Sequence, residues 1–242
     1  MTERNLALTV REEECREPLQ SVLPIHFSPQ EIKEHFRESM DHVKAQFSVA
    51  DALLETENES GCFTIWRSQV VLAEGLLDFY IHEVSKYCMF QMFCGNWEQS
   101  EKYANFMVPM SKVEEAINAV ESNEWFFSFL NQRFSRDVFL SVESMKQQLN
   151  LIGIGFDFVM IKAFPRERED ISKKDGKKIV EQLFKRRNEI AHQNDRSHAS
   201  AEQTPITREF VELYITNIEH IVNAIQFIME TKDSEVHHVN QM

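Results

Sequence analysis

Apolar residues recur every three or four positions along four long stretches of this chain, and that period restricts the fold more than any other feature. Ile32, Phe36, Met40, Val43, Phe47, Ala50 and Leu54 make the first stretch. Their spacing puts them on one face of a helix over 30–56. In front of it, Ser28-Pro29-Gln30-Glu31 is a capping box with proline at the first helical position. Val70, Leu77, Ile81, Val84 and Cys88 mark a second helix over 64–92. Ile179, Val180, Leu183, Phe184, Ile190 and Ala191 mark a third over 172–193, with Ser172 or Asp175 as its cap. Phe210, Val211, Tyr214, Ile218, Ile221, Val222, Ile225 and Ile228 give a fourth over 207–231, capped by Thr207. Six Gly and six Pro are too few for a fold built on many tight turns. The expectation is an all-α bundle with an inserted helical middle segment.

Taken in order, residues 1–27 read as an extended lead-in, 28–232 as one helical domain and 233–242 as a frayed tail. The middle is less regular. Trp97 to Met110 stays open; Ser111 to Glu114 forms a second capping box, opening a short helix to about Val120. Trp125, Phe126, Phe127, Phe129, Leu130 and Phe134 belong to an aromatic-rich helix, more often core than a platform for stacked bases. Residues 141–150 read as helix, and 151–164 as either a buried helix or a short strand. Residues 165–174 and 193–205 read as loops.

The formal charge of −13 argues against broad adhesion to a polyanion. A nucleic acid would have to be gripped locally, where basic groups outweigh the field of the rest. Cys15, Cys62, Cys88 and Cys94 form no C-x-x-C pair, so they read as core thiols of a reducing compartment. No spacing such as H-E-x-x-H, no Gly-rich phosphate loop and no marked nucleophile is present, so neither metal nor cofactor is expected. No apolar run reaches 18 residues and the N-terminus is polar, which makes the cytoplasm the default and a membrane partner unexpected.

Chemistry concentrates on the third helix. Arg187 lies four residues after Leu183 and three before Ile190, which puts it on the apolar stripe. A guanidinium cannot shed its proton, so burying it requires a carboxylate or phosphate. Glu74 and Asp78 fall on or beside the apolar face of the second helix and are candidate acidic partners, Asp78 the favoured one. Four residues after Asn188 comes His192, which can exchange protons near neutral pH. Singly, each has an ordinary reading: Arg187 in a structural ion pair, His192 complementing a helix C-terminus.

Together, Arg187, Asn188 and His192 match Arg-Asn-x-x-x-His on a late helix followed by a loop and a last helix, and so resemble the HEPN ribonuclease signature. Helix count and placement resemble its RiboL-PSP-HEPN branch over about residues 64–230. The resemblance implies a HEPN-like helical bundle that cleaves RNA without metal at a site shared by two protomers. It implies catalytic roles for Arg187, Asn188 and His192, a homodimer, an RNA substrate, and a toxin–antitoxin or antiviral defence setting with a cognate inhibitor protein. Arg187 and His192 stand about 140° apart on an ideal helix, which also favours a composite site. One departure is Asn194, where HEPN toxins silenced by nucleotidylation carry Tyr. The alternatives are a non-catalytic HEPN-like domain that binds RNA or protein, and a helical scaffold held by a buried Arg–acid pair.

Overall fold

A computed structural model describes residues 25–118, 122–197 and 199–239, with side chains up to residue 234. It contains α1 (Pro29–Glu55), α2 (Glu59–Phe93), α3 (Glu101–Ala104), α4 (Met110–Asn118), α5 (Glu124–Phe134), α6 (Val142–Leu151), α7 (Phe156–Ala163), α8 (Glu169–Gln193) and α9 (Arg208–Val239). Among the described residues the only bridge of extended backbone is the isolated pair Arg196–Gln203.

α2 is the axis of the bundle. α1 runs back along it, joined through Thr56–Asn58, and Gln69 donates from Nε2 to the Val43 carbonyl across the pair (2.9 Å). α9 runs parallel to α2. Glu74 meets Tyr214, Tyr80 donates to Gln226 Oε1 (2.9 Å), and Tyr87 donates to Asp233 (2.9 Å), in ascending order along both helices. α8 lies antiparallel to α2 and buries Val180, Leu183 and Ile190. The shorter α3–α6 gather around the C-terminal half of α2, where Phe126, Phe129, Leu130 and Phe134 are buried core. The four phenylalanines of α5 are thus core, and Trp125 is the aromatic of that helix left partly exposed.

Capping explains where α1 and α2 begin. Ser28 Oγ accepts from the Glu31 N–H and Glu31 Oε2 accepts from the Ser28 N–H, so the predicted box forms. Asn58 caps α2 five residues earlier than the apolar period suggests, because its side chain accepts from the Gly61 N–H. Three expectations are corrected. α4 begins at Met110, so Ser111 lies inside the helix and does not cap it. α8 starts at Glu169 after Arg168. Ser172 is buried within its first turn, accepting from the Arg166 N–H (2.8 Å), and Asp175 pairs with Arg166, so neither caps the helix. α9 extends past the expected 231, to Val239. Asp233 holds it, accepting from Tyr87 and from Trp97 Nε1 (2.9 Å), while Lys232 donates to the Gly153 carbonyl (2.7 Å). Within the undecided stretch 151–164, residues 156–163 form helix α7, reached from the end of α6 through a left-handed Gly153 (φ +71°). Residues 1–24, most of the predicted lead-in, lie outside the described residues, as do 119–121, 198 and 240–242.

α8 can approach α7 only because residue 176 has no side chain. A Cβ there would stand 2.9 Å from both Cβ and Sδ of Met160 and 3.0 Å from Phe164 Cδ2. In an open helix, Gly→Ala stabilises by about 1 kcal/mol. Overpacking costs about 1–3 kcal/mol and wins here, because Met160 Cβ cannot rotate away. Gly176→Ala should therefore lower stability by about 1–2 kcal/mol in urea melts. A stabilised variant would show that the α7–α8 contact is loose.

Candidate active site at the C-terminal end of helix α8

The last turns of α8 present the motif on different sides. Arg187 is half-buried, and its Nη1 donates to Asn188 Oδ1 (3.1 Å). Its Nε is buried and has no acceptor among the described residues. His192 is exposed, one residue before the end of the helix, and makes no hydrogen bond among the described residues. Asn188 therefore orients the guanidinium, not the imidazole. Arg187 and Asn188 form one polar unit; His192 stands apart on the same helix.

The expected ion pair between Arg187 and an inward acid is not made: among the described residues no carboxylate lies within 4.0 Å of Arg187. Asp78 is taken up elsewhere, accepting from the Phe139 N–H (2.8 Å) with His82 Nε2 3.9 Å away. Of the two acids, it is Glu74 that faces Arg187's field. Glu74 is 1% exposed. Burial pushes its carboxyl up to about 7, against the lowering effects of Tyr214 and Arg187. Tyr214 Oη lies 2.6 Å from Glu74 Oε2 and 2.9 Å from the Leu183 carbonyl oxygen. A hydroxyl has one proton to give. Both contacts are hydrogen bonds at once only when Glu74 is protonated and donates to Tyr214, which then donates to Leu183. A neutral Glu74 leaves the Arg187 charge uncommitted.

The deeply placed cations are Arg186 and Arg67, which the apolar period did not mark. Arg186 is 9% exposed and Asp195 1%. Both terminal nitrogens of Arg186 donate to the two Asp195 oxygens, Nη2 at 2.9 Å. Arg67 donates from Nε to Asp195 Oδ2 (2.6 Å) and from Nη2 to the Thr204 carbonyl (2.9 Å). Glu189 Oε2 is 3.7 Å from Arg186 Nη1. Asp195 also turns the backbone: it has φ +58°, follows Asn194 at φ +50°, and its N–H donates to the Glu189 carbonyl (2.9 Å), closing the end of α8. The position where a nucleotidylated family member carries Tyr is thus a left-handed helix cap, a conformation Asn tolerates and Tyr does not.

α8 also concentrates positive charge. Residues 173–187 hold seven of the chain's 26 basic residues and two of its 39 acids. The run is plain in the sequence, but its meaning depends on which residues face out. Lys174, Lys177, Lys178 and Lys185 are all exposed.

A family model described as RiboL-PSP-HEPN matches residues 52–230, from the last turn of α1 into α9. The chain belongs to the RiboL-PSP-HEPN family. The match takes in α2, the whole inserted segment and the Arg187-Asn188-His192 motif, and extends 12 residues further toward the N-terminus than the resemblance read from the motif. No curated protein and no solved structure matches this HEPN domain. No helix of the described residues is long and apolar enough to cross a membrane.

Glu74 gives a pH signature. In the folded HEPN domain its carboxyl keeps a proton up to about pH 7, whereas unfolded it would ionise near pH 4.3. Between those values the folded state binds the extra proton, so stability falls as pH rises through this window. By pH 8 the loss is on the order of 3 kcal/mol. Glu74→Gln removes the titration and keeps a partner for Tyr214. The variant should match the wild type at pH 4 and exceed its stability by up to about 3 kcal/mol at pH 8, in denaturant melts at both pH values. Parallel stability profiles would mean that Glu74 is ionised in the fold.

Proposed function

We propose that the chain is an endoribonuclease that needs no metal and acts at the C-terminal end of α8. The observation that carries this reading is Arg187: a half-buried guanidinium aimed by Asn188, without a carboxylate within 4.0 Å among the described residues, on the same helix end as an exposed His192. A cation so placed suits a phosphate, which guanidinium donors bind in pairs.

The step begins with the ribose 2′-hydroxyl. His192, or its copy in a second protomer, takes the hydroxyl proton; the 2′-oxygen bonds to the adjacent phosphorus. Arg187 stabilises charge on the non-bridging oxygens. The bond from phosphorus to the 5′-oxygen breaks and an imidazolium returns a proton to the leaving oxygen. The products are a 2′,3′-cyclic phosphate and a 5′-hydroxyl. Proton transfer by a positioned imidazole contributes on the order of 10² to 10⁴ in rate.

One helix cannot turn Arg187 and His192 to one point, so a homodimer that brings two α8 ends together forms the working site. Exposed Leu72 and Phe79, each 47% exposed on α2 near Glu74 and Asp78, supply apolar surface for such a contact. A toxin–antitoxin or antiviral defence role with a cognate inhibitor follows from the family resemblance alone.

His192→Ala should reduce RNA cleavage by at least about 10²-fold and change stability by no more than about 1–2 kcal/mol. Arg187→Ala should also abolish cleavage and leave the melting temperature nearly unchanged, since no ion pair is stranded; Arg187→Lys should recover little activity. Cleavage assays and thermal melts on the three proteins decide. Full activity without His192 ends the ribonuclease reading, and RNA binding without cleavage in the wild type leaves a binding domain.

A further inference from the structure

Lys174, Lys178, Lys185 and His192 lie on one line along the exposed side of α8. The last three are spaced by seven residues, two turns each, so successive members drift by only about 20° around the axis. Lys177 and Asn188 flank the same line. From Lys174 to His192 it runs about 27 Å at 1.5 Å per residue.

The arrangement is not that of a helix face neutralised by its own pairs. Lys174, Lys177 and Lys178 have no carboxylate within 4.0 Å among the described residues. Lys185 Nζ is 3.9 Å from Glu189, a distant contact with an ammonium 74% exposed. Glu181 stands among the lysines, four residues from Lys177 and Lys185, where i,i+4 pairs ordinarily form. Among the described residues it has no ion pair within 4.0 Å. In a chain of net charge −13, this is where cations outnumber acids locally and remain free.

We propose that the lysine line of α8 is a binding track for the backbone of single-stranded RNA, leading into the His192 end. The inference rests on the ribonuclease reading for where the strand leads, and on α8 itself for the binding. Ammonium groups on long flexible stems meet phosphates as point charges and do not read bases. Single-strand sites of roughly 4–16 nucleotides are common for grooves that follow a backbone, and a 27 Å line lies at the short end of that range. The track would give the enzyme affinity for long strands with little sequence preference, and would place successive phosphates at the one end of α8 where Arg187 and His192 sit.

The test measures binding of a fluorescein-labelled 12-nucleotide oligouridine by full-length His192→Ala protein, which leaves the probe intact, over a series of NaCl concentrations. Each lysine that neutralises a phosphate on a single strand adds about 0.7 to the slope of log affinity against log salt. Replacing Lys174, Lys177 and Lys178 together by Ala should lower that slope by about 2 and weaken binding at least tenfold at low salt. Replacing the exposed Lys102 and Lys146, away from α8, should change neither. Slope and affinity retained in the α8 triple variant would overturn the track. So would an equal loss in the Lys102/Lys146 variant, or failure of the parent protein to bind. Parent binding that depends on the lysines, in a wild type that never cleaves RNA, would retain the track and remove the ribonuclease reading. Cleavage without lysine-dependent binding would do the reverse.

Discussion

Everything at the functional end of the molecule depends on one buried carboxylate. Asp195 accepts from both Arg186 and Arg67 and so joins the end of α8, the loop after it and the start of α2. Two guanidiniums at low exposure would be prohibitive without it; breaking such a cluster by removing one partner typically costs about 3–5 kcal/mol. The same residue sits in a left-handed conformation, which a non-glycine residue keeps only where its surroundings over-determine it. The ion cluster supplies that determination. With Asp195 fixed, the backbone of α8 stops at Gln193, and His192 is carried in its last turn next to the anchored loop.

The cluster also divides the labour between neighbouring arginines. Arg186 is spent on structure, with Asp195 and Glu189 around it. Arg187 lies one residue on and about 100° round the helix, and its charge acts on Glu74 of α2. Because burial raises the Glu74 carboxyl to about 7 against the lowering effects of Tyr214 and Arg187, that acid only partly offsets Arg187 around neutral pH. Among the described residues, this negatively charged chain thus keeps a half-buried guanidinium without a carboxylate within 4.0 Å and a row of exposed ammoniums on the helix that carries it, the local grip that an acidic protein needs for a polyanion.

What the sequence made legible was whatever repeats locally. Apolar periods in α1, α2, α8 and α9 and the Ser28–Glu31 box describe interactions within four residues, and those elements stand where the spacing put them. The inward acid Glu74 was legible for the same reason. Contacts that depend on distant partners were not. Asp195 sits in a polar loop without periodicity, and its value comes from Arg67, 128 residues away. Arg186 lies on the α8 stripe's flank, where apolar counting favours its neighbour Arg187. Asp233 of α9 is held by Tyr87 and Trp97, far back in the chain. Asp78 looked like a partner for Arg187 because both lie on helical faces, but the Phe139 N–H claims it.

The claim that the α8 end cleaves RNA by attack of the 2′-hydroxyl is tested most directly by the ends it leaves. Purified wild-type protein is incubated with a defined single-stranded RNA in excess EDTA, and the fragment termini are determined by mass spectrometry. The account predicts cleavage that survives EDTA, with 2′,3′-cyclic phosphate on one fragment and 5′-hydroxyl on the other. Intact RNA, or fragments ending in 3′-hydroxyl and 5′-phosphate, would contradict it.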